Sequence, residues 1–367
     1  MKIHYLFEEA NPSFRKAQDD PNFPYLNSAS ARFAGTYPGE VLRAQGHGVQ
    51  YHFVNKNTGV RDDIAFEKDD VVVCVRNYFQ EMVDTAKLAK EKGAIIVMQQ
   101  NDPHILSTEE SLAEVRSSHL QLLKMSDAVI ACSPSLAELC AQYNPVVEVI
   151  FDGVDTQKAE PAFDLSQFPG RPLHLTTPCY GHNHGDILNS LPSIEAFAVR
   201  HGQVEYSVVT KPPRADQRHH GNDYDSLAEW KSESEKLSIR MVDYSPQAAA
   251  LEIAASDMVV LQEDSGNRKG YKADWYPKKS NGRGAAAIWA GKPIYCPRDI
   301  LSYQPFLNGN GGFNKGNVGL TLEHMLSADP TSVNEEIRKG QILVEQNNSS
   351  QIIAAKQLAL FQKLIAR

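Results

Sequence analysis

VEVIFDGVD, residues 147–155, is a short apolar strand pattern that runs into Asp-Gly near the middle of a 367-residue chain. The pattern before it is DAVIACS (127–133), and between the two Ser133-Pro134 opens a helix, with Ser as cap and Pro at the first helical position. Further back the same alternation holds. MKIHYLF (1–7), VQYHFV (49–54), DVVVCVR (70–76) and AIIVMQ (94–99) read as strands. Residues 31–49, 78–93 and 108–126 read as helices, the first two ending at Gly46–Gly48 and Gly93 because Gly is favoured just past a helix end. Short continuous apolar strands alternating with helices specify a parallel sheet covered on both faces. VEVI therefore closes a first sheet, and its Asp-Gly is the turn at that strand's carboxyl end.

Beyond a polar, Pro-containing linker (156–171) the logic repeats. PLHLTTP (172–178), VEYSVVT (204–210), SIRMVDY (238–244), DMVVLQE (257–263) and KPIYCP (292–297) read as strands. Residues 186–202, 227–237, 245–256 and 280–291 read as helices, and the chain ends in two more, 332–346 and 350–367. A chain of this length divides into two domains, and ligands of doubly wound sheets bind at the strands' carboxyl ends.

Composition narrows the class. Hydrophobic residues make up 42% and charged ones 22%, enough apolar material for two cores. The net charge of -8 argues against a protein that coats duplex DNA and leaves room for a local basic pocket. Cys74, Cys132, Cys140, Cys179 and Cys296 form no CxxC pair and read as buried reduced thiols of a cytoplasmic protein. No signal-peptide pattern precedes the first strand, and no apolar run approaches the roughly 20 residues that span a bilayer.

Three stretches carry a resemblance. SDAVIACSPSLAELC (126–140) with VEVIFDGVD resembles the end of the first domain in GT-B glycosyltransferases, especially the large nucleotide-sugar family known as glycosyltransferase family 4 or group 1, whose turn reads vI-P-N-G-V-D. YSPQAAALEIAASDMVVLQ (244–262) resembles that family's helix followed by an A-D-V-V-V strand, and GRGAAAIWAGKPIYCP (282–297) its E-A-M-A-x-G-x-P-V-V segment. The resemblance implies the GT-B fold, two Rossmann-like doubly wound α/β domains facing across a cleft. Residues 1–155 would form the acceptor domain and 172–345 the nucleotide-sugar donor domain, with a terminal helix over 346–367 that this fold often returns towards the first domain. Two departures stand out. Where the family carries two Glu eight positions apart, this chain has Lys278 and Ala286. Its basic diphosphate loop is replaced by CYGHNHGD (179–186).

The candidate site residues follow. YPKKSNGRG (276–284) precedes a helix whose free N–H groups and partial positive charge suit phosphate; Lys278, Lys279, Ser280, Asn281 and Arg283 are its candidate donor-phosphate ligands, and the alternative is a solvated basic loop. QQNDPH (99–104) lies at a strand's carboxyl end, where Asp102 or His104 would take the acceptor's proton, or would simply make the turn. The resemblance sets Gly35 and Thr36 near the donor phosphates, the alternative being a helix-entry turn. His182 and His184 are candidates for phosphate or sugar contacts without a third metal ligand. Arg218, His219 and His220 lie in a polar loop that reads as a surface loop or lid, and Trp275 beside the basic loop is a candidate sugar contact. Glu263 and Asp264 are placed to accept the ribose hydroxyls, and Val242, Asp243 and Tyr244 to hold the base.

The reading is a metal-independent glycosyltransferase with no cofactor beyond the nucleotide diphosphate sugar itself. It would move the sugar to a carbohydrate or other hydroxyl acceptor, with domain closure excluding water. The alternatives are a nucleotide-sugar epimerase or DNA-base glycosyltransferase on the same fold, and a catalytically silent binding subunit.

Overall fold

Val71–Val75 is buried at all five positions, and a strand so placed needs cover on both faces. The computed structural model supplies it and describes residues 1–8, 29–54, 56, 58–75, 79–107, 110–179, 184–211, 224–262, 278–298 and 300–367. The chain divides into two units: Met1–Gly153, Gly266–Gly282 and Gln346–Arg367 form one, and Val154–Ser265 and Arg283–Glu345 the other.

The first unit holds six parallel strands: β1 (Lys2–Glu8), β2 (Gly48–Val54), β3 (Val71–Val75), β4 (Ile95–Gln100), β5 (Ala128–Ala131) and β6 (Val147–Val149), in the order β2-β1-β3-β4-β5-β6. Its helices are α1 (Tyr37–Ala44), α2 (Gln80–Glu91), α3 (Ala113–Met125) and α4 (Pro134–Cys140). Alternate strand residues face opposite sides. Tyr5, Phe7, Val73 and Ile130 build one core; Leu6, Val72, Cys74, Met98 and Val129 build the other with Leu136 of α4. The cap read at Ser133 is present: its Oγ accepts the Leu136 N–H at 3.2 Å.

The second unit repeats the architecture with β7 (Leu173–Pro178), β8 (Val204–Thr210), β9 (Leu237–Asp243), β10 (Met258–Val260), β11 (Ile294–Tyr295) and β12 (Gly312–Phe313), in the order β12-β11-β10-β7-β8-β9. Its helices are α5 (His184–His201), α6 (Pro246–Ala255), α7 (Gly282–Trp289, which begins at the unit boundary), α8 (Val318–Ser327) and α9 (Pro330–Asn348, whose last turn belongs to the first unit). The final helix, α10 (Ser350–Ile365), belongs to the first unit, where Ile353, Ala354, Leu360, Phe361 and Leu364 join the core of Tyr5 and Phe7. All five cysteines are buried and unpaired.

Two expectations change. The helix read over 227–237 is one short stretch, Tyr224–Ala228. Its continuation is diverted because the Glu195 carboxylate on α5 accepts from the Ser234 N–H at 3.2 Å and its hydroxyl at 3.1 Å, and Glu235 takes a φ of 58° that a helix cannot. The helix read over 31–49 contains a π-turn, Arg32–Thr36, before α1. Gly35 sits in that turn, and a Cβ there would lie 2.4 Å from Cε1 of Phe7, a ring only 1% exposed. Gly35→Ala is therefore expected to cost about 1–3 kcal/mol by overpacking. A lower urea midpoint at unchanged m-value would show it, and an unchanged midpoint would refute it.

In each sheet the strand order reverses once, at β1/β3 and at β7/β10. The carboxyl ends at such a reversal are where doubly wound sheets bind ligands.

Candidate active site

In the second unit the reversal point carries a cation. Arg283, the second residue of α7, donates Nη1–H to the carbonyl oxygen of Pro178 at 3.1 Å, at the carboxyl end of β7. Its guanidinium also bonds the buried Tyr303 hydroxyl. Burial pushes the nearby Cys179 thiol up to about 11, with Arg283 opposing that rise. Two neutral acceptors thus help to orient Arg283 at the end of β7. Beside it, at the carboxyl end of β10, Gln262 is 8% exposed and its buried Nε2 has no hydrogen-bond partner among the described residues. A buried amide donor left open is costly and marks a place where an acceptor belongs.

The neighbouring strands add to this edge. Lys211 follows β8, with Nζ 5.5 Å from the centroid of the Tyr244 ring, which follows β9. Val242 and Asp243 end β9, in register with Val209 and Thr210. His184 is fully buried at the start of α5; its Nε2 lies 3.0 Å from Oγ1 of Thr210, so the protein itself occupies that nitrogen. His182, Arg218, His219, His220, Glu263, Asp264 and Trp275 lie outside the described residues.

The segment read as a single phosphate loop is divided. Arg283 belongs to the second unit, while Lys278, Lys279, Ser280 and Asn281 cluster with the first. There the Lys278 carbonyl accepts the Ser133 hydroxyl at 2.8 Å. Ser280 Oγ accepts the Gly282 N–H at 3.1 Å and bonds the Asp152 carboxylate. Asn281 is 5% exposed and its Oδ1 accepts from Asn348 Nδ2 at 3.1 Å. Gly35 and Thr36 are also buried in the first unit, and the Thr36 carbonyl accepts the Tyr51 hydroxyl at 3.2 Å.

At the end of β4 in the first unit, Asp102 and His104 come together. His104 Nε2 lies 4.0 Å from Asp102 Oδ2, and the His104 ring lies 5.1 Å from that of buried His119. Burial, with His104 second, holds His119 down to about 3. Among the described residues no group of three His, Cys, Asp or Glu side chains could hold a metal, and no helix is long and apolar enough to cross a membrane.

Lys211, Gln262, Tyr303, Asn101 and Asp152 escaped the sequence reading. Only Lys211 left a local signal, a basic residue directly after a strand.

No protein-family model matches the chain, and no curated protein matches it by sequence. Solved structures do. Sucrose-phosphate synthase from Thermosynechococcus elongatus superposes with a TM-score of 0.62 at 12% identity, over 100% of each chain. An α,α-trehalose 6-phosphate synthase from Burkholderia multivorans gives 0.63 at 10% identity, over 100% of this chain and 97% of that one. A TarM variant from S. aureus, solved with fondaparinux, α-GlcNAc-glycerol and UDP, gives 0.55 at 13% identity, over 82% of this chain and 57% of the longer one. The likeness is one of fold: two parallel six-stranded α/β sheets of the GT-B type.

Proposed function

We propose that the chain is a glycosyltransferase that moves a sugar from a nucleotide diphosphate sugar to an acceptor hydroxyl. The observation that carries this reading is Arg283 at the β7/β10 reversal, held by the Pro178 carbonyl and the Tyr303 hydroxyl, with the Gln262 amide just past β10 open among the described residues. Negative charge grows on the diphosphate as the sugar leaves, and a fixed cation stabilises that charge more than it stabilises the bound donor. Lys211 supplies a second cation at the same edge, and Tyr244 beside it a face for the base. With cations in that role the reading assigns no metal. In the first unit Asp102 or His104 takes the acceptor's proton.

Support also comes from the GT-B neighbours, among them two sugar-phosphate synthases and a protein solved with UDP. Lys278 and Ala286, where the resembling family carries Glu, favour the rival reading of a silent binding subunit.

Calorimetry with UDP, GDP and ADP decides. One of them is expected to bind, and Arg283→Ala to weaken it at least about tenfold, since a hydrogen bond to a charged group contributes about 1.5–3 kcal/mol. Arg283→Lys should fall between, keeping charge without the fork. No binding of any of the three, or a change within about twofold, ends the phosphate assignment. Binding without transfer from any sugar donor favours the silent subunit. Transfer lost in EDTA and restored by a divalent ion would overturn the metal-free reading.

A further inference from the structure

The carboxyl ends of β4, β5 and β6 hold a polar cluster beside Asp102, and apart from Asp102 the proposed transfer does not use it. At its centre is Asp152, 8% exposed, just past β6. Among the described residues its carboxyl is held by neutral donors: Asn101 Nδ2 donates to Oδ1 at 2.8 Å, and the Ser280 hydroxyl donates as well. Its main-chain oxygen accepts Asn348 Nδ2 at 2.6 Å, the amide that also binds Asn281. The titratable groups that face it are the Asp102 carboxyl beyond β4 and the Cys132 thiol at the end of β5, whose Sγ donates to the Asn101 carbonyl at 3.3 Å. Ser280, Asn281 and Asn348 bring no charge. Among the described residues a carboxylate is therefore buried against neutral donors, an arrangement that burial penalises.

The second observation is on Asn101. With its nitrogen turned to Asp152, its Oδ1 is buried and without a hydrogen-bond partner among the described residues. One proton from solvent removes the charge and can give Oδ1 a donor. If it binds Asp152 on the oxygen facing Asn101 and the amide turns over, the Asn101 N–H bond to Asp152 breaks, the new O–H donates to Asn101 Oδ1, and the NH2 moves to the side that Oδ1 had occupied.

We propose that Asp152 and Asn101 form a proton-coupled toggle that positions residues 278–282. Ionised Asp152 holds Ser280 and the Asn101 nitrogen by charge-assisted bonds. Protonated Asp152 donates to Asn101 Oδ1, turns the NH2 to the opposite side, and keeps only a weaker neutral bond to Ser280. Burial pushes this carboxyl up to about 6, so the toggle turns over just below neutral pH. Asp152 is thus a positioning residue. Its effect on transfer rests on the proposed function, because the residue after Gly282 is Arg283.

The test uses the full chain from about pH 4.5 to about pH 8, a range that brackets the expected midpoint. In aspartate-labelled protein, infrared difference spectra are expected to show a protonated-carboxyl band with its midpoint near pH 6, absent from Asp152→Asn. The Asn101 side-chain amide cross-peak, identified by its loss in Asn101→Leu, is expected to shift with the same midpoint. Relative to wild type, Asp152→Asn should gain about a hundredfold in its folding equilibrium constant between pH 4 and pH 7, since it lacks a carboxyl that binds its proton about a hundredfold more tightly in the folded chain. A band that titrates while the Asn101 cross-peak stays fixed overturns the toggle, as does the absence of any such band. If Asp152→Asn does not fold, the two wild-type titrations decide. Should transfer be measurable, Asp152→Asn is expected to lose the pH dependence of the donor KM below pH 7, with kcat less affected. If no sugar donor is used at all, the functional reading falls, while the two titrations still judge the toggle alone.

Discussion

Acid is expected to weaken the first unit by about 4 kcal/mol between pH 7 and pH 4, with most of the loss from two histidines buried without charge. His119 is 2% exposed on α3, where Nδ1–H donates to the Val115 carbonyl at 2.9 Å, and burial holds it down to about 3. His52 is held down to about 4, by burial first and then by His4 and Arg61. Geometry explains why His52 resists a proton. His4 lies between Asp70 Oδ2, 3.1 Å from its Nε2, and His52 Nε2, 3.0 Å from its Nδ1. If His4 donates to Asp70, its Nδ1 accepts from His52 Nε2, and a further proton on His52 would set a cation against the His4 ring and the Arg61 guanidinium inside a buried site.

The sign follows from which state binds more protons. Below the ordinary histidine value of 6.5 the unfolded chain takes up protons that folded His119 and His52 refuse, so stability falls with pH. Down to pH 4 each spans about 2.5 pH units, or about 3.4 kcal/mol, giving about 7 together. Asp152 acts in the opposite sense. Its folded carboxyl binds a proton at about 6 and its unfolded one only near 3.8, so it returns about 3 kcal/mol over the same fall. The histidines win, and the remainder is comparable to the whole stability of a small domain, about 5–15 kcal/mol. Urea midpoints at pH 7, 6, 5 and 4 test this. His119→Phe keeps an aromatic ring without the titration and should remove about half of the histidine loss. A midpoint that stays flat to about pH 4.5 would sink the prediction.

What could be read in advance was what is local. Ser133-Pro134 and Ser245-Pro246 announce helix starts because cap and first turn are neighbours in sequence, and both hydroxyls accept the expected N–H. Gly93 and Gly291 announce helix ends because each takes a positive φ, 87° and 75°. The continuous apolar run at 71–75 gives the parallel sheet. The site was less legible because its partners lie far apart in the chain. Asn101 meets Asp152 across 51 positions, and the Ser133 hydroxyl meets the Lys278 carbonyl across 145. No window of sequence contains either pair. The opening Asp-Gly reads only as the turn at a strand's carboxyl end, with no sign that Asp152 is buried and its main chain tied to Asn348. Likewise Ser280 and Asn281 have the chemistry of phosphate ligands, yet their polar atoms bond within the first unit.

A chain ending at residue 345 is expected to lose the folded first unit altogether. Helix α10 is capped by Ser349, whose Oγ accepts the Ile352 N–H at 3.3 Å, and its apolar stripe is part of the core built on β1. Ile353, Leu360, Phe361 and Leu364 are at most 7% exposed. Burying each contributes about 1.5–3 kcal/mol, so the four contribute about 6–12, an upper range because an unfolded chain already hides some of that surface. Gln357 adds a polar tie. It is fully buried, accepting the Tyr5 hydroxyl at 2.7 Å and donating to the Ala34 carbonyl at 2.9 Å. Removing it strands both partners, at about 1–3 kcal/mol each. Truncation also removes Asn348 from the Asp152 main chain. Ordering the helix opposes these gains, yet their sum still matches the stability of an ordinary domain. The core of the second unit draws no residue from 346–367, so that unit should keep its strand and helix signal while proteases digest the first. A graded check avoids the all-or-none result. Phe361→Ala should cost about 3–5 kcal/mol, and Gln357→Ala should lower the same transition by less. If the truncated chain resists proteolysis as the full chain does, α10 lies on the first unit without holding it together, and the assignment of its buried stripe to that core is wrong.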